Sequence, residues 1–91
     1  MRLKENEIKA IKEIIYSIFK DAKIYLFGSR LDNNKKGGDI DLFIISKDNT
    51  LQNGLKAQSK LKRVLNKPVD IVLHRDFERN IEKEALKGIL L

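Results

Sequence analysis

Apolar residues recur along this chain first with the period of a helix and then as short continuous runs. Between residues 3 and 20 the isoleucines stand three or four apart, with lysine and glutamate between them, which predicts an amphipathic helix. A short apolar run follows at residues 23–27 and stops at Gly28, which predicts a buried strand. The chain therefore begins with a helix that leads into a strand.

The remaining elements continue this alternation of helices and strands. Residues 39–45 predict a second strand, residues 51–66 a second helix and residues 69–73 a third strand. A last helix is predicted to start at Asp76. Its inward-facing side chains are expected to be Phe77, Ile81, Ala85, Leu86, Ile89 and Leu90. This order predicts a single α/β (α+β) domain over residues 1–91.

Three aspartates fall where two of the predicted strands begin. Asp39 and Asp41 stand two residues apart, so their side chains point to the same face of the second strand, and Asp70 lies near the start of the third. Neighbouring carboxylates repel each other, and a fold tolerates them best with a cation between them. Mg²⁺ needs few protein oxygens, because water and phosphate complete its shell. The aspartates therefore predict a catalytic site with two Mg²⁺ ions.

The turn that ends the first strand is the candidate phosphate site. Gly28 is small, and Ser29 can cap a short helical turn whose free N–H groups face a phosphate. This turn meets the aspartates only if the first two strands are antiparallel neighbours. The third strand must then run parallel to the second, through a right-handed helical crossover. The predicted fold is a small mixed β-sheet in the order 1-2-3, with helices packed against it.

Composition and charge narrow the class of protein without changing this picture. The chain is 42% apolar and 35% charged and has no cysteine, which is typical of a folded domain without disulfides or thiolate zinc sites. Its net charge of +6 is spread along the helices among glutamates, and no RNA-binding motif accompanies it. We therefore expect no direct nucleic-acid binding. Without a signal sequence or membrane-spanning run, a soluble cytoplasmic domain is expected.

The sequence Gly-Ser-Arg at residues 28–30, followed by Asp-Ile-Asp-Leu at residues 39–42, resembles the signature of the polymerase-β-like nucleotidyltransferase superfamily. Within that superfamily, the chain length and the Leu-Phe-Gly-Ser-Arg motif are most similar to the minimal nucleotidyltransferases, the MNT proteins that pair with HEPN-domain proteins. The resemblance implies a nucleotidyltransferase fold that takes ATP with Mg²⁺ and transfers AMP with release of pyrophosphate. It covers nearly the whole chain in element order.

The resemblance also implies roles for individual residues and for a partner. Gly28 and Ser29 would hold the β- and γ-phosphates, and Arg30 would support a phosphate or the turn. The metal ligands would be Asp39, Asp41 and Asp70. An MNT protein acts as an antitoxin similar to those of type VII systems. It binds a HEPN ribonuclease toxin and adenylylates one of its tyrosines. Larger relatives carry an accessory domain that grips the acceptor, so we expect a protein partner or an oligomer to supply that surface here.

Two other functions stay open at this point. The chain could be a non-catalytic antitoxin that occludes its toxin, or a small-molecule nucleotidyltransferase of the aminoglycoside-modifying type. One departure from the family pattern is Gly38, where a serine is common before the first aspartate, and it is expected to loosen the loop. His74 is predicted to be a surface or capping histidine.

Overall fold

A computed structural model describes residues 3–28 and 39–91 of the chain. The elements in order are helix α1 (Glu5–Ile18), strand β1 (Lys23–Phe27), strand β2 (Ile40–Ile45), helix α2 (Leu51–Leu65), strand β3 (Val69–Leu73), helix α3 (Asn80–Leu86) and strand β4 (Ile89–Leu90). The predicted order of helices and strands is confirmed from α1 to α3. In this described part of the chain, no helix has the length and apolar character needed to cross a membrane.

The four strands form one mixed sheet in the order β3-β2-β1-β4. Strand β1 runs antiparallel to β2, and β3 runs parallel to β2 with α2 as the crossover, which confirms the predicted directions. The predicted order 1-2-3 is incomplete, because β4 adds a fourth strand antiparallel to β1. The fold is therefore the predicted mixed sheet with helices, extended by one short edge strand.

The C-terminal segment differs from the long helix that the sequence predicts. Helix α3 ends at Leu86, and Gly88 then passes close to β1, where an added Cβ would lie 3.0 Å from the carbonyl carbon of Leu26. Ile89 and Leu90 pair with β1 instead of continuing the helix. Of the six side chains predicted to face inward, only Ala85 is buried, and Phe77, Ile81, Leu86, Ile89 and Leu90 remain exposed.

Alternation along the strands gives the sheet two chemically different faces. The first face is covered by α1 and α2. Its fully buried core consists of Ile11, Ile15, Phe19, Ile24, Leu26, Ile40, Leu42, Ile44, Ala57, Leu61 and Val69. The second face carries Tyr25, Phe43 and Val72, and α3 contacts it at β1 and β2. Asp41 and Asp70 belong to this second face, because they alternate with core residues on their strands.

Helix α2 packs on the sheet through Gly54, Ala57 and Leu61. Gly54 and Ala57 are buried, and a Cβ added at Gly54 would lie 2.9 Å from Cδ1 of Leu73. The helical spacing of its apolar residues predicts that Leu51, Leu55, Leu61, Val64 and Leu65 face inward. This prediction is partly wrong, because Leu51, Leu55 and Val64 are exposed. The absence of a side chain at Gly54 lets the helix approach β3 closely.

A buried carboxylate fixes the segment between β3 and α3. Glu82 is fully buried and accepts hydrogen bonds from the backbone N–H groups of Arg75 (3.0 Å) and Asp76 (2.9 Å) and from Nε of Arg79 (2.6 Å). Its other oxygen lies 2.7 Å from Nδ1 of His74. Burial by itself raises the pKa of Glu82, but these hydrogen bonds outweigh burial and lower the pKa to about 2. His74 is consequently a half-buried part of this network rather than a surface histidine.

We expect Glu82→Gln to change how stability depends on pH. In the wild type the unfolded chain binds a proton at this residue near its ordinary pKa of 4.5, whereas the folded chain stays ionised down to a pH of about 2. The stabilisation is therefore complete above pH 4.5 and is lost as the pH falls toward 2. At neutral pH the free energy of unfolding of the variant should be lower by about 1–3 kcal/mol, because the buried donors lose a charged acceptor.

Urea denaturation of both proteins at a series of pH values between neutral and about 3 checks this prediction. The difference in free energy of unfolding between wild type and variant should shrink below pH 4.5. A difference that stays constant across the series would show that Glu82 does not carry the depressed pKa.

Candidate active site

The register between β2 and β3 aligns two of the three predicted aspartates. Asp41 is the direct partner of Asp70 in the parallel ladder. Aligned residues on neighbouring strands point to the same face, with the strands about 4.8 Å apart, so the two carboxylates stand side by side. Asp39 immediately precedes β2 at the same end of the sheet. The fold therefore brings residues from two separate segments to one corner of its second face.

The electrostatics of this corner act on Asp41. Asp41 is half-buried, while Asp39 and Asp70 are exposed. Burial raises the pKa of Asp41 above its ordinary value, and the negative charges of Asp70 and then Asp39 raise it further. No described side chain offsets this repulsion by a hydrogen bond that lowers the pKa. A cation placed between the carboxylates would relieve it.

The donor set suits Mg²⁺, although the side chains do not converge on one point. Within residues 3–28 and 39–91, no group of three Asp, Glu, His or Cys side chains is arranged to hold a metal ion. Burial and the neighbouring charges of Asp70 and Asp39 together raise the pKa of Asp41, and a bound cation would offset both effects. Mg²⁺ needs only one or two protein carboxylates and takes its other ligands from water and phosphate. Asp41 with Asp70 or Asp39 would meet that requirement.

Gly28 brings the end of β1 directly against Asp41. Its φ is +80°, a conformation that other residues rarely adopt, and an added Cβ would lie 3.2 Å from Cγ of Asp41 and closer still to Oδ2. The preceding residue, Phe27, is the antiparallel partner of Asp41. The predicted neighbours Ser29 and Arg30 lie outside the described residues, so their contacts with phosphate stay predictions.

Phe27 borders the site and was not singled out from the sequence. Its half-buried ring lies on the second face because β1 buries Ile24 and Leu26 on the first. Since Phe27 and Asp41 are direct partners, the ring stands next to the carboxylate. Residues 24 and 26 could have been assigned to one face of β1 and residues 25 and 27 to the other, which would have placed Phe27 beside Asp41. Because residues 24–27 are all apolar, their composition does not distinguish the two faces. Phe27 gives the acidic corner one apolar wall.

Comparison with protein-family models places the chain in a family. Residues 8–91 match the model of the nucleotidyltransferase domain, from α1 through all four strands. The chain belongs to this family, which confirms the predicted superfamily and indicates a transferase that moves nucleotidyl groups. Members of this family typically use a nucleoside triphosphate and Mg²⁺. A search of curated proteins gives no significant match.

We expect Gly28→Ala to destabilise the fold and to displace the Asp41 side chain. The substitution forces a strained φ and places a methyl group against the carboxylate, which together should cost about 1–3 kcal/mol. Urea denaturation measures this cost. In an Asp41→Ala background the same change should cost less, because the group that the methyl would strike is gone. If Gly28→Ala lowered the free energy of unfolding equally in both backgrounds, the close approach of residue 28 to the Asp41 carboxylate would be contradicted.

We expect Asp41→Asn to raise the melting temperature of the ligand-free protein at neutral pH. The pKa of Asp41 is raised by burial and by two neighbouring charges, so its ionised form destabilises the fold. Asparagine keeps the shape and removes the charge. The increase should disappear toward acidic pH, where Asp41 becomes protonated. A melting temperature that falls at neutral pH would show that the Asp41 charge is satisfied in the fold.

Proposed function

We propose that this chain is a Mg²⁺-dependent adenylyltransferase that transfers AMP from ATP to a tyrosine of a cognate HEPN ribonuclease toxin and so acts as its antitoxin. The observation that carries the proposal is the alignment of Asp41 with Asp70 beside Gly28 in a chain of the nucleotidyltransferase family. The resemblance of residues 28–30 and 39–42 to the MNT proteins supports the choice of donor and partner.

The reaction assigns a separate task to each part of the site. Gly28 and Ser29 would hold the β- and γ-phosphates of ATP, and Asp39, Asp41 and Asp70 would hold Mg²⁺. When bound, Mg²⁺ would supply positive charge that stabilises the phosphate oxygens in the transition state. Asp70, which is exposed beside Asp41, accepts the proton of the incoming tyrosine hydroxyl. The hydroxyl oxygen bonds to the α-phosphorus, the bond to the bridging oxygen breaks, and pyrophosphate leaves.

The surroundings of the aspartates favour an acceptor carried by another protein. Asp39 and Asp70 are exposed, so a side chain on a large partner can reach them from solvent. A groove lies along β3, and its walls include Ile71 and the exposed side chains of Leu51 and Ile81. Exposed apolar side chains in a groove are typical of the central part of a protein interface. A partner seated there would contact Ile71, the residue that follows Asp70 on β3.

One observation favours a second function, a binding module that neutralises its partner without catalysis. The acidic side chains in the described residues do not form a ready metal site. A chain that only covers its toxin would need neither Mg²⁺ nor ATP. The aligned carboxylates would then have no catalytic role in this chain.

Incubation with Mg²⁺, the HEPN partner and ATP labelled at the α-phosphate separates these functions. Label should enter the partner, and ATP labelled at the γ-phosphate should leave it unlabelled. Asp41→Asn should slow labelling about a hundredfold or more, because a charge that binds the metal is lost. Asp48→Asn, the same change at an exposed aspartate after β2, should leave the rate unchanged.

Three outcomes would contradict the proposal in different ways. Toxin neutralisation that survives the double change Asp39→Ala and Asp41→Ala, without labelling, would support the binding module. Label on an added aminoglycoside in the absence of the partner would support the small-molecule enzyme. Labelling by Asp41→Asn at the wild-type rate would show that Asp41 has been assigned wrongly.

A further inference from the structure

A cavity of about 300 Å³ lies at the opposite end of the second face from the aspartates. The aspartates stand where β2 and β3 begin, whereas the cavity is lined by Ser46, Lys47 and His74, which follow the ends of those strands. From Asp41 to Ser46 the strand extends roughly 17 Å, at about 3.3 Å per residue. The cavity is therefore separate from the candidate active site.

One side of the cavity carries two lysines together with the carboxylate of Asp21. Lys23 and Lys47 both line it, and among the described residues neither has a carboxylate within 4.0 Å. The nearby Asp21 accepts hydrogen bonds from Oγ of Ser46 (2.5 Å) and from the backbone N–H of Lys47 (3.1 Å). These bonds occupy both carboxylate oxygens of Asp21, whose charge also acts on Lys47. The lining holds two ammonium groups and one carboxylate, so it keeps a net positive charge.

The other side of the cavity is a fixed aromatic wall. Phe77 is 47% exposed as a residue, and the ring of His74 stacks on its ring with centroids 4.0 Å apart. His74 is held in turn by the buried carboxylate of Glu82, which also binds the backbone of the segment that carries Phe77. A half-exposed phenyl group that is already immobilised offers a flat surface on which a second ring can stack at little entropic cost.

We infer that this cavity binds a mononucleotide, with its base stacked on Phe77 and its phosphate beside Lys23 and Lys47. A planar ring joined to an anionic group matches an aromatic wall opposite two unpaired lysines. The volume is at the lower end of the range for ligand sites, which fits one nucleotide rather than a longer chain. This inference concerns a different part of the surface and holds whether or not the proposed transfer reaction occurs.

Titration of the ¹⁵N-labelled chain with AMP in the presence of EDTA tests the site by nuclear magnetic resonance. Without a metal ion, we expect saturable shifts of the amide signals of residues 45–47 and 74–77. The signals of Gly28, Asp41 and Asp70 should stay in place. Adenosine and inorganic phosphate should each bind about tenfold more weakly than AMP, because each lacks one half of the recognised group. Shifts confined to the aspartate corner, or no saturable shift, would overturn the inference.

Matched variants assign the two halves of the site. Phe77→Leu should weaken AMP binding about tenfold, because it removes the ring but keeps an apolar side chain, and Phe77→Tyr should bind like the wild type. The double change Lys23→Ala and Lys47→Ala should also weaken AMP binding about tenfold. Melting curves verify that each variant folds, as expected for exposed positions.

A charge control completes the design. The double change Lys56→Ala and Lys60→Ala removes the same net charge from α2, on the other side of the sheet, and should leave AMP binding unchanged. If the Phe77→Leu variant and the Lys23 and Lys47 double variant bind AMP with wild-type affinity, the cavity is not the site and the inference is wrong.

Discussion

The parallel pairing of β2 with β3 is the constraint on which the candidate site depends. It aligns Asp41 with Asp70 and sets the start of both strands at one end of the sheet. A slip of one residue would turn Asp70 toward the buried face. Helix α2 covers the other face of the sheet and packs on it through Gly54, Ala57 and Leu61. The register of β2 against β3 thus determines that the two charges lie together on the second face.

The two kinds of carboxylate in this fold show how structure and site chemistry differ. Glu82 is buried but surrounded by donors, and its pKa falls to about 2, so its charge stabilises the fold. Asp41 is less buried but stands beside two other acids, and its pKa is raised. A carboxylate left in such surroundings costs stability, which a fold tolerates where the charge serves to bind something. This contrast supports a binding role for the aspartate corner.

Much of the fold follows from local patterns, and the remainder depends on contacts between distant segments. The apolar runs predict β1 to β3, together with the break at Gly28 and with Pro68, which cannot continue a helix and so separates α2 from β3. The positions of Asp41 and Asp70 at the strand starts predict that they meet. The strand β4 could not be predicted, because Ile81, Ala85 and Ile89 also have helical spacing and only pairing with β1 selects the extended form. Similarly, the burial of Gly54 instead of nearby leucines reflects the closeness of β3.

The most direct test of the aspartate corner is the location of a bound divalent ion. Mn²⁺ substitutes for Mg²⁺ at oxygen sites and broadens nearby amide signals, so its position can be mapped with ATP present. We predict that the signals of residues 40–42 and 69–71 broaden first, that those of Leu73 and His74 persist, and that Asp41→Asn abolishes the selectivity. Broadening that is uniform, or that is centred away from the start of β2 and β3, would contradict a metal site formed by Asp41 and Asp70.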